Sequence, residues 1–318
     1  MSDEEFEALI ISQLEVIDPI LSKEEIDISA RPFAAADIFI KTYLVSVNGK
    51  QPDNYKTESW FKYIILPIRK WYETKYGPAT TLPKRKASKG VLLYNGVFYE
   101  LDIPLRVIVH KGETSDFIFP KEILPFEKES LLVKYPPNIP ADSPEAKAFK
   151  QSVRDVVNLT RSISNNVGTS QFKHKQCREL SQGIEVHMQK AVADILSNKN
   201  ERFLISYWEI QLAIEKSIKV LIVQANEEMR YTHDLMELWK DLNKIKPGLI
   251  QQERIQKFPR AKKVKNYRYG KGPNIRKIDV HRNYLEALKL LDTLTEKFER
   301  KFTFSNTVFV LKRFPWQQ

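Results

Sequence analysis

The chain is short of several things. It has one cysteine, Cys177, among 318 residues. That excludes an internal disulfide and a cysteine-rich zinc site. No apolar run reaches the length of a membrane span. The longest candidate, 203–223, is broken by Glu209, Glu215, Lys216 and Lys219. The opening "MSDEEFEALI" is acidic and then amphipathic. It lacks the basic-then-apolar order of a secretory signal, which predicts a cytoplasmic protein. There is no G-x-x-x-x-G-K-[ST] loop, no H-E-x-x-H and no paired Cys with His, so neither a metal nor a cofactor is expected. Internal repeats and low-complexity blocks are missing too.

What is present is charge of one sign in one place. The formal net charge is +11. Between Lys244 and Arg282 stand thirteen Lys or Arg against two acids, Glu253 and Asp279. That segment alone carries the whole surplus of +11, and the remainder is neutral, with 38 basic and 38 acidic residues. Charge gathered this way attracts polyanions and releases their counterions. A solvated loop kept extended by its like charges is the plainer reading. The densest part, "FPRAKKVKNYRYGKGPNIRKIDVHR", interleaves cations with tyrosine. It nominates Arg260, Lys262, Lys263, Lys265, Tyr267, Arg268, Tyr269, Lys271, Lys277 and Arg282 as contacts to nucleic acid. Tyr267 and Tyr269 would stack on unpaired bases, or pack the loop down. "YGKGP", 269–273, can wrap an anion in backbone N–H groups, although a turn is the simpler role.

Apolar content of 42% is enough for a core. The pattern predicts an α+β protein. "SDEE" and "SKEE" are capping boxes at Ser2 and Ser22. Further helices run from about Pro32 to Val47 and from Thr57 to Tyr76. The latter carries Trp60, Tyr63, Ile64, Ile68, Trp71 and Tyr72 on one side and must kink or split at Pro67. That stripe reads as core before it reads as a ligand platform. "LPKRKASKG" is a basic loop. "VLLYNGVFYEL" signals a hairpin around Asn95-Gly96, and two more short strands complete a small antiparallel sheet over about 88–135. The prolines at 136, 137, 140 and 144 mark a stiff boundary. Ser143 then caps a helix that breaks over 165–170, and helices follow at 175–197, 200–225, 231–245 and 281–303. "FTFSNTVFVLKRF" reads as a terminal strand. The expected domains are 1–140, a connecting helix in 141–174, a helical bundle over 175–305 and a tail from 306 to 318.

Within the bundle, Glu215 and Lys219 stand one turn apart with the acid first, the favourable order for a helical pair worth ~0.2–0.5 kcal/mol. Thr232 is a natural N-cap, and Asp234 suits the first turn of the next helix. His233 is a candidate polar-site residue beside Asp234. The order Glu215-Lys216-x-x-Lys219, then Thr232-His233-Asp234-Leu235 with Leu238, then Arg268-Tyr269, then Ala287 in the last helix, resembles the HEPN superfamily, the higher-eukaryote and prokaryote nucleotide-binding domains. The resemblance covers about 175–305 and does not extend to residues 1–140.

That resemblance implies a C-terminal HEPN-like helical bundle that binds RNA. Nuclease members carry an Arg and a His separated by four to six residues and cut RNA without metal. Arg276 and His281, in "RKIDVH", fit that spacing. The chemistry is sound: a histidine moves protons near neutral pH, and an arginine holds the phosphate as the 2′-hydroxyl attacks. Lys277 departs from the polar residue, commonly Asn, that follows the Arg in those members. Arg230 and His233 are too close together to be the pair. The resemblance further implies a homodimer, a prokaryotic defence or toxin–antitoxin setting, and an antitoxin or nucleotidyltransferase as partner. The N-terminal half itself shows no Gly-Ser followed by Asp-x-Asp. The alternative is a non-catalytic HEPN-like module holding a nucleotide, a nucleic acid or a protein. A third reading is an adaptor whose basic segment meets an acidic protein.

Overall fold

Ser2 accepts a hydrogen bond from the Glu5 N–H, and the Glu5 carboxylate accepts one from Ser2 N at 2.6 Å. The expected capping box therefore starts α1 (Asp3–Lys23). The structure is a computed structural model that describes residues 2–80, 87–225, 228, 231–304 and 306–312. "SKEE" does not start a second helix. Leu21 is buried, so α1 runs through Pro19 to Lys23 and the chain then turns with Glu25 at φ 56°. The next helix, α2 (Arg31–Tyr43), takes Pro32 in its first turn. Two short 3₁₀ turns precede α3 (Lys62–Tyr76), which contains Pro67 as one continuous helix. Ile10, Leu14, Phe39, Ile40, Phe61, Ile64, Ile68 and Tyr72 form the core of this unit. The aromatic stripe thus supplies Tyr72 to the core, while Trp60 and Trp71 lean on it and Tyr63 stays exposed.

β1 (Ala87–Tyr94) and β2 (Val97–Pro104) form the hairpin expected at Asn95-Gly96, with Tyr94 opposite Val97. Both turn residues have positive φ, 47° and 76°, as a type I′ turn requires. β3 (Val107–Lys111), β4 (Thr114–Phe119) and β5 (Thr307–Lys312) make a second small sheet in the order β3-β4-β5. β5 is the strand expected in the tail. Residues 81–86 of the basic loop, Arg230 and the last six residues lie outside the described residues.

Helices dominate the rest. α4 (Pro144–Gly168) is capped by Ser143 Oγ, which accepts from Ala146 N at 3.0 Å. Then come α5 (Lys175–Leu196), α6 (Asn200–Gln224) and α7 (Leu235–Ile245). The basic segment holds two short helices that periodicity does not announce, α8 (Gln252–Gln256) and α9 (Ala261–Tyr267). The last helix, α10 (Lys277–Thr295), starts four residues before its expected position. No described helix is long and apolar enough to cross a membrane.

The chain divides into two compact units, and the lines fall away from the proline-rich stretch. One unit is Met1–Lys84 with Val109–Asp116 and Val310–Gln318; the other is Arg85–Ile108 with Phe117–Phe309. The hairpin belongs to the helical unit because its apolar side is needed there. Val91, Leu92, Leu101 and Ile103 share one core with Val153, Val156 and Val157 of α4 and with α6 and α10. Gly90 allows the close approach: a Cβ there would lie 2.9 Å from Val156 Cγ1. Arg161 of α4 is fully buried and donates to the Glu127 carboxylate at 2.6 and 3.0 Å. It also donates to the Pro104 and Glu122 carbonyls at 3.0 and 2.9 Å. It thereby fastens the segment between β4 and α4 to the helices.

Candidate nucleic-acid interface and its polar neighbourhood

α6 is buried on nearly all sides, with Ile210, Ile214, Ile218 and Leu221 in the core. A polar side chain on such a helix must find its partners inside the protein. Glu215 and Lys219 do so. Lys219 Nζ lies 2.7 Å from Glu215 Oε1, and the other carboxylate oxygen lies 2.9 Å from His233 Nδ1. Gln211, also on α6, donates to the His233 carbonyl at 2.7 Å. The Trp208 ring meets the imidazole edge-on at 5.6 Å. Three α6 side chains thus anchor His233, which precedes α7.

The cap of α7 is Asp234, not Thr232. Asp234 Oδ1 accepts from Met236 N at 2.8 Å and Glu237 N at 3.3 Å. Thr232 Oγ1 accepts from Asp234 N at 3.1 Å instead. The helix therefore begins two residues later than a Thr232 cap implies, and Asp234 is spent on its backbone. His233, with its side chain 47% exposed, has its Nδ1 engaged by Glu215. A cleft of about 610 Å³ opens beside Asp234, lined also by Glu237, Lys240, Phe258 and Arg260.

The basic segment divides into free and committed cations. On α9, Val264 and Tyr267 face inward, three residues apart, while Lys262, Lys263 and Lys265 are exposed. Those three, with the exposed Arg260 and Lys271, have no ion-pair partner among the described residues. Arg268 lies over the ring of Tyr269 at 4.8 Å, and Tyr269 is 64% exposed. Tyr267 is the exception to the expected stacking pair. It is buried, edge-on to Tyr207 at 6.1 Å, so it backs α9 and does not meet bases.

Nearer α10 the cations are already engaged. Lys257 pairs with Glu286 at 2.7 Å. Lys277 donates to the Gly96 carbonyl at 3.0 Å, tying the hairpin turn to α10. Arg276, the N-cap residue, binds Asp279 through Nε at 2.7 Å, and Arg282 reaches the same carboxylate at 3.4 Å. Asp279 therefore fills the start of α10 with the chain's own negative charge.

Arg276 and His281 are not brought to one surface. The Arg276 side chain is exposed and turned to Asp279. His281 is buried, with Nε2 shielded and without a partner. Burial pushes its imidazole from 6.5 down to about 4, against a smaller opposing effect of the Val91 backbone. Four residues lie between the two, and Arg276 stands in extended conformation at the N-cap, ahead of the helix that carries His281.

A second polar group escapes a reading by motif. Tyr207, Lys257, Asp279, Arg282, Asn283 and Glu286 line a groove of about 340 Å³. Its signal is present in the sequence: positions 279, 282, 283 and 286 recur at helical spacing on one side of α10.

Residues 190–300 match the family model described as the HEPN domain. The match spans the Glu215–Lys219–His233 cluster, α9 and α10. No curated protein matches the chain, and no solved structure does.

Proposed function

We propose that the HEPN domain of this protein binds single-stranded RNA through α9 and its flanks, as a binding module and not as a nuclease. One observation carries the reading: Arg260, Lys262, Lys263, Lys265 and Lys271 are exposed and unpaired among the described residues, around a short helix whose other side is packed into the core. Cations without carboxylates have their full charge to offer phosphate, and a fixed backing keeps them together. Tyr269, capped by Arg268, adds an exposed ring on which a base can stack.

Cleavage by Arg276 and His281 finds less support. The arginine is held by Asp279, and the histidine is enclosed and neutral. A general base needs reach to the proton it takes.

The test is fluorescence anisotropy with a single-stranded RNA across a range of salt. Five phosphate contacts give a slope of log affinity against log salt of about −3.5. Replacing Lys262, Lys263 and Lys265 with Ala should reduce that slope by about 2 and weaken binding to every sequence alike. Affinity that ignores salt, or a triple variant that binds like the parent, rejects the proposal. Metal-free incubation with the same RNA should leave it intact; cleavage lost in His281→Ala would restore the nuclease reading.

A further inference from the structure

We propose that the free edge of β5 is an interaction surface that pairs antiparallel with β5 of a second copy of this chain. The inference is independent of the RNA-binding reading, and its surface lies past the matched segment 190–300.

β5 ends the sheet order β3-β4-β5, so one of its edges has no strand beside it among the described residues. The N–H and C=O groups of such an edge are a template for another strand. The side chains add to the exposure. Val308, Phe309, Val310 and Leu311 are consecutive, and each is 44–62% exposed. Neighbours along a strand point to opposite faces, so both faces of β5 show apolar surface to water. An exposed apolar run of this kind marks a contact site. The strand is also held in place to receive a partner. Phe309 meets Phe119 and Phe304 edge-on at 5.8 and 5.9 Å.

Edges are ordinarily blunted by charge, proline or burial. The opposite edge of the sheet follows that rule. In β3, Val107, Ile108 and Val109 are half-buried, and the exposed residues are His110 and Lys111. β5 has no proline, and its one charged residue, Lys312, stands at its end.

That placement of charge selects the occupant. A second β5 running antiparallel, with the two-fold axis at Phe309, sets Phe309 opposite Phe309, Val308 opposite Val310 and Thr307 opposite Leu311. Aromatic and β-branched residues then meet across the strands, the pairs that stabilise a sheet. The two copies of Lys312 fall at opposite ends, about 20 Å apart at ~3.3 Å per residue. A parallel pair would set them side by side, where like charges destabilise. One patch serves both copies, as a two-fold interface requires.

The experiment measures the mass of the full chain by light scattering over a range of concentration, at high salt so that no polyanion bridges the copies. Six residues a side are fewer than the roughly 20–30 of a standard interface, so monomer and dimer should exchange. The mass should climb with concentration from 37.2 kDa toward twice that value. Val308→Lys with Val310→Lys, both at exposed positions, puts like charges opposite each other and should hold the mass at one chain. A second arm uses single cysteines, since the native Cys177 is buried. Mild oxidation should link two copies of Phe309→Cys, because residues opposite each other in a sheet lie within disulfide reach. Lys312→Cys should stay unlinked. If the double lysine variant does not fold, the cysteine pair decides. A one-chain mass at every concentration overturns the proposal, as does equal linking at 309 and 312. A dimer that survives the two lysines is built by another surface, the helical bundle included, and overturns it too.

Discussion

Glu215 and Lys219 form an ion pair within α6, 2.7 Å apart, in which each side chain is less than a tenth exposed. The sequence anticipates the pair at helical spacing, but the value for an exposed pair does not apply. A buried pair gains little over an apolar pair of the same shape, yet is costly to break.

Glu215→Ala should therefore cost about 3–5 kcal/mol, because Lys219 is left charged and enclosed and His233 loses its acceptor. Chemical denaturation measures it. Replacing both, Glu215→Leu with Lys219→Met, should recover most of that loss. A double variant as weak as Glu215→Ala would mean that His233 is the partner that matters.

Acid should weaken the fold through His281. The folded protein holds this side chain neutral down to about 4, whereas its ordinary value is 6.5. Between those limits the unfolded chain takes up a proton that the folded one refuses, so stability falls as pH drops from 6.5 to 4. The loss is at most ~1.4 kcal/mol per pH unit, and below about pH 4 this residue adds no further loss. His281→Phe should flatten that window. The depressed carboxylates of Asp18, Glu100 and Glu286 act at lower pH, where they become protonated.

Gly90→Ala should destabilise by about 1–3 kcal/mol, as overpacking of a filled core does. The added methyl would meet Val156 Cγ1 at 2.9 Å and Ile103 Cδ1 at 3.0 Å. Thermal unfolding reads the effect. A second substitution, Val156→Ala, should return part of the loss by opening space for it.

Local signals made most of the fold legible. Ser2 with Glu5, Ser143 before Pro144 and Asn95-Gly96 each satisfy a backbone requirement within a few residues, and each appears where spacing places it. Ser22 failed because the cap pattern competes with the burial of Leu21, a tertiary effect. The same limit governs the site. Exposed Lys262, Lys263 and Lys265 are readable from charge alone, but whether a cation is free depends on distant partners. Glu286 lies 29 positions from Lys257, and Gly96 lies 181 from Lys277. Tyr267 and Tyr269 look alike in the sequence; only the packing of α9 on Tyr207 separates a wall from a platform. His281 has motif spacing from Arg276, yet β1 covers it, and no count of residues along the chain conveys that.

The hairpin of β1 and β2 has become part of the bundle's interior. Residues 190–300 contain the recognisable domain, but Val91, Leu92, Leu101 and Ile103 fill the space between its helices and α4. A fragment trimmed to the recognisable part would carry an oily gash where those four side chains belong, and it would clump on expression. The matched segment starts at residue 190, yet the core it belongs to draws on β1 and β2 far upstream of it.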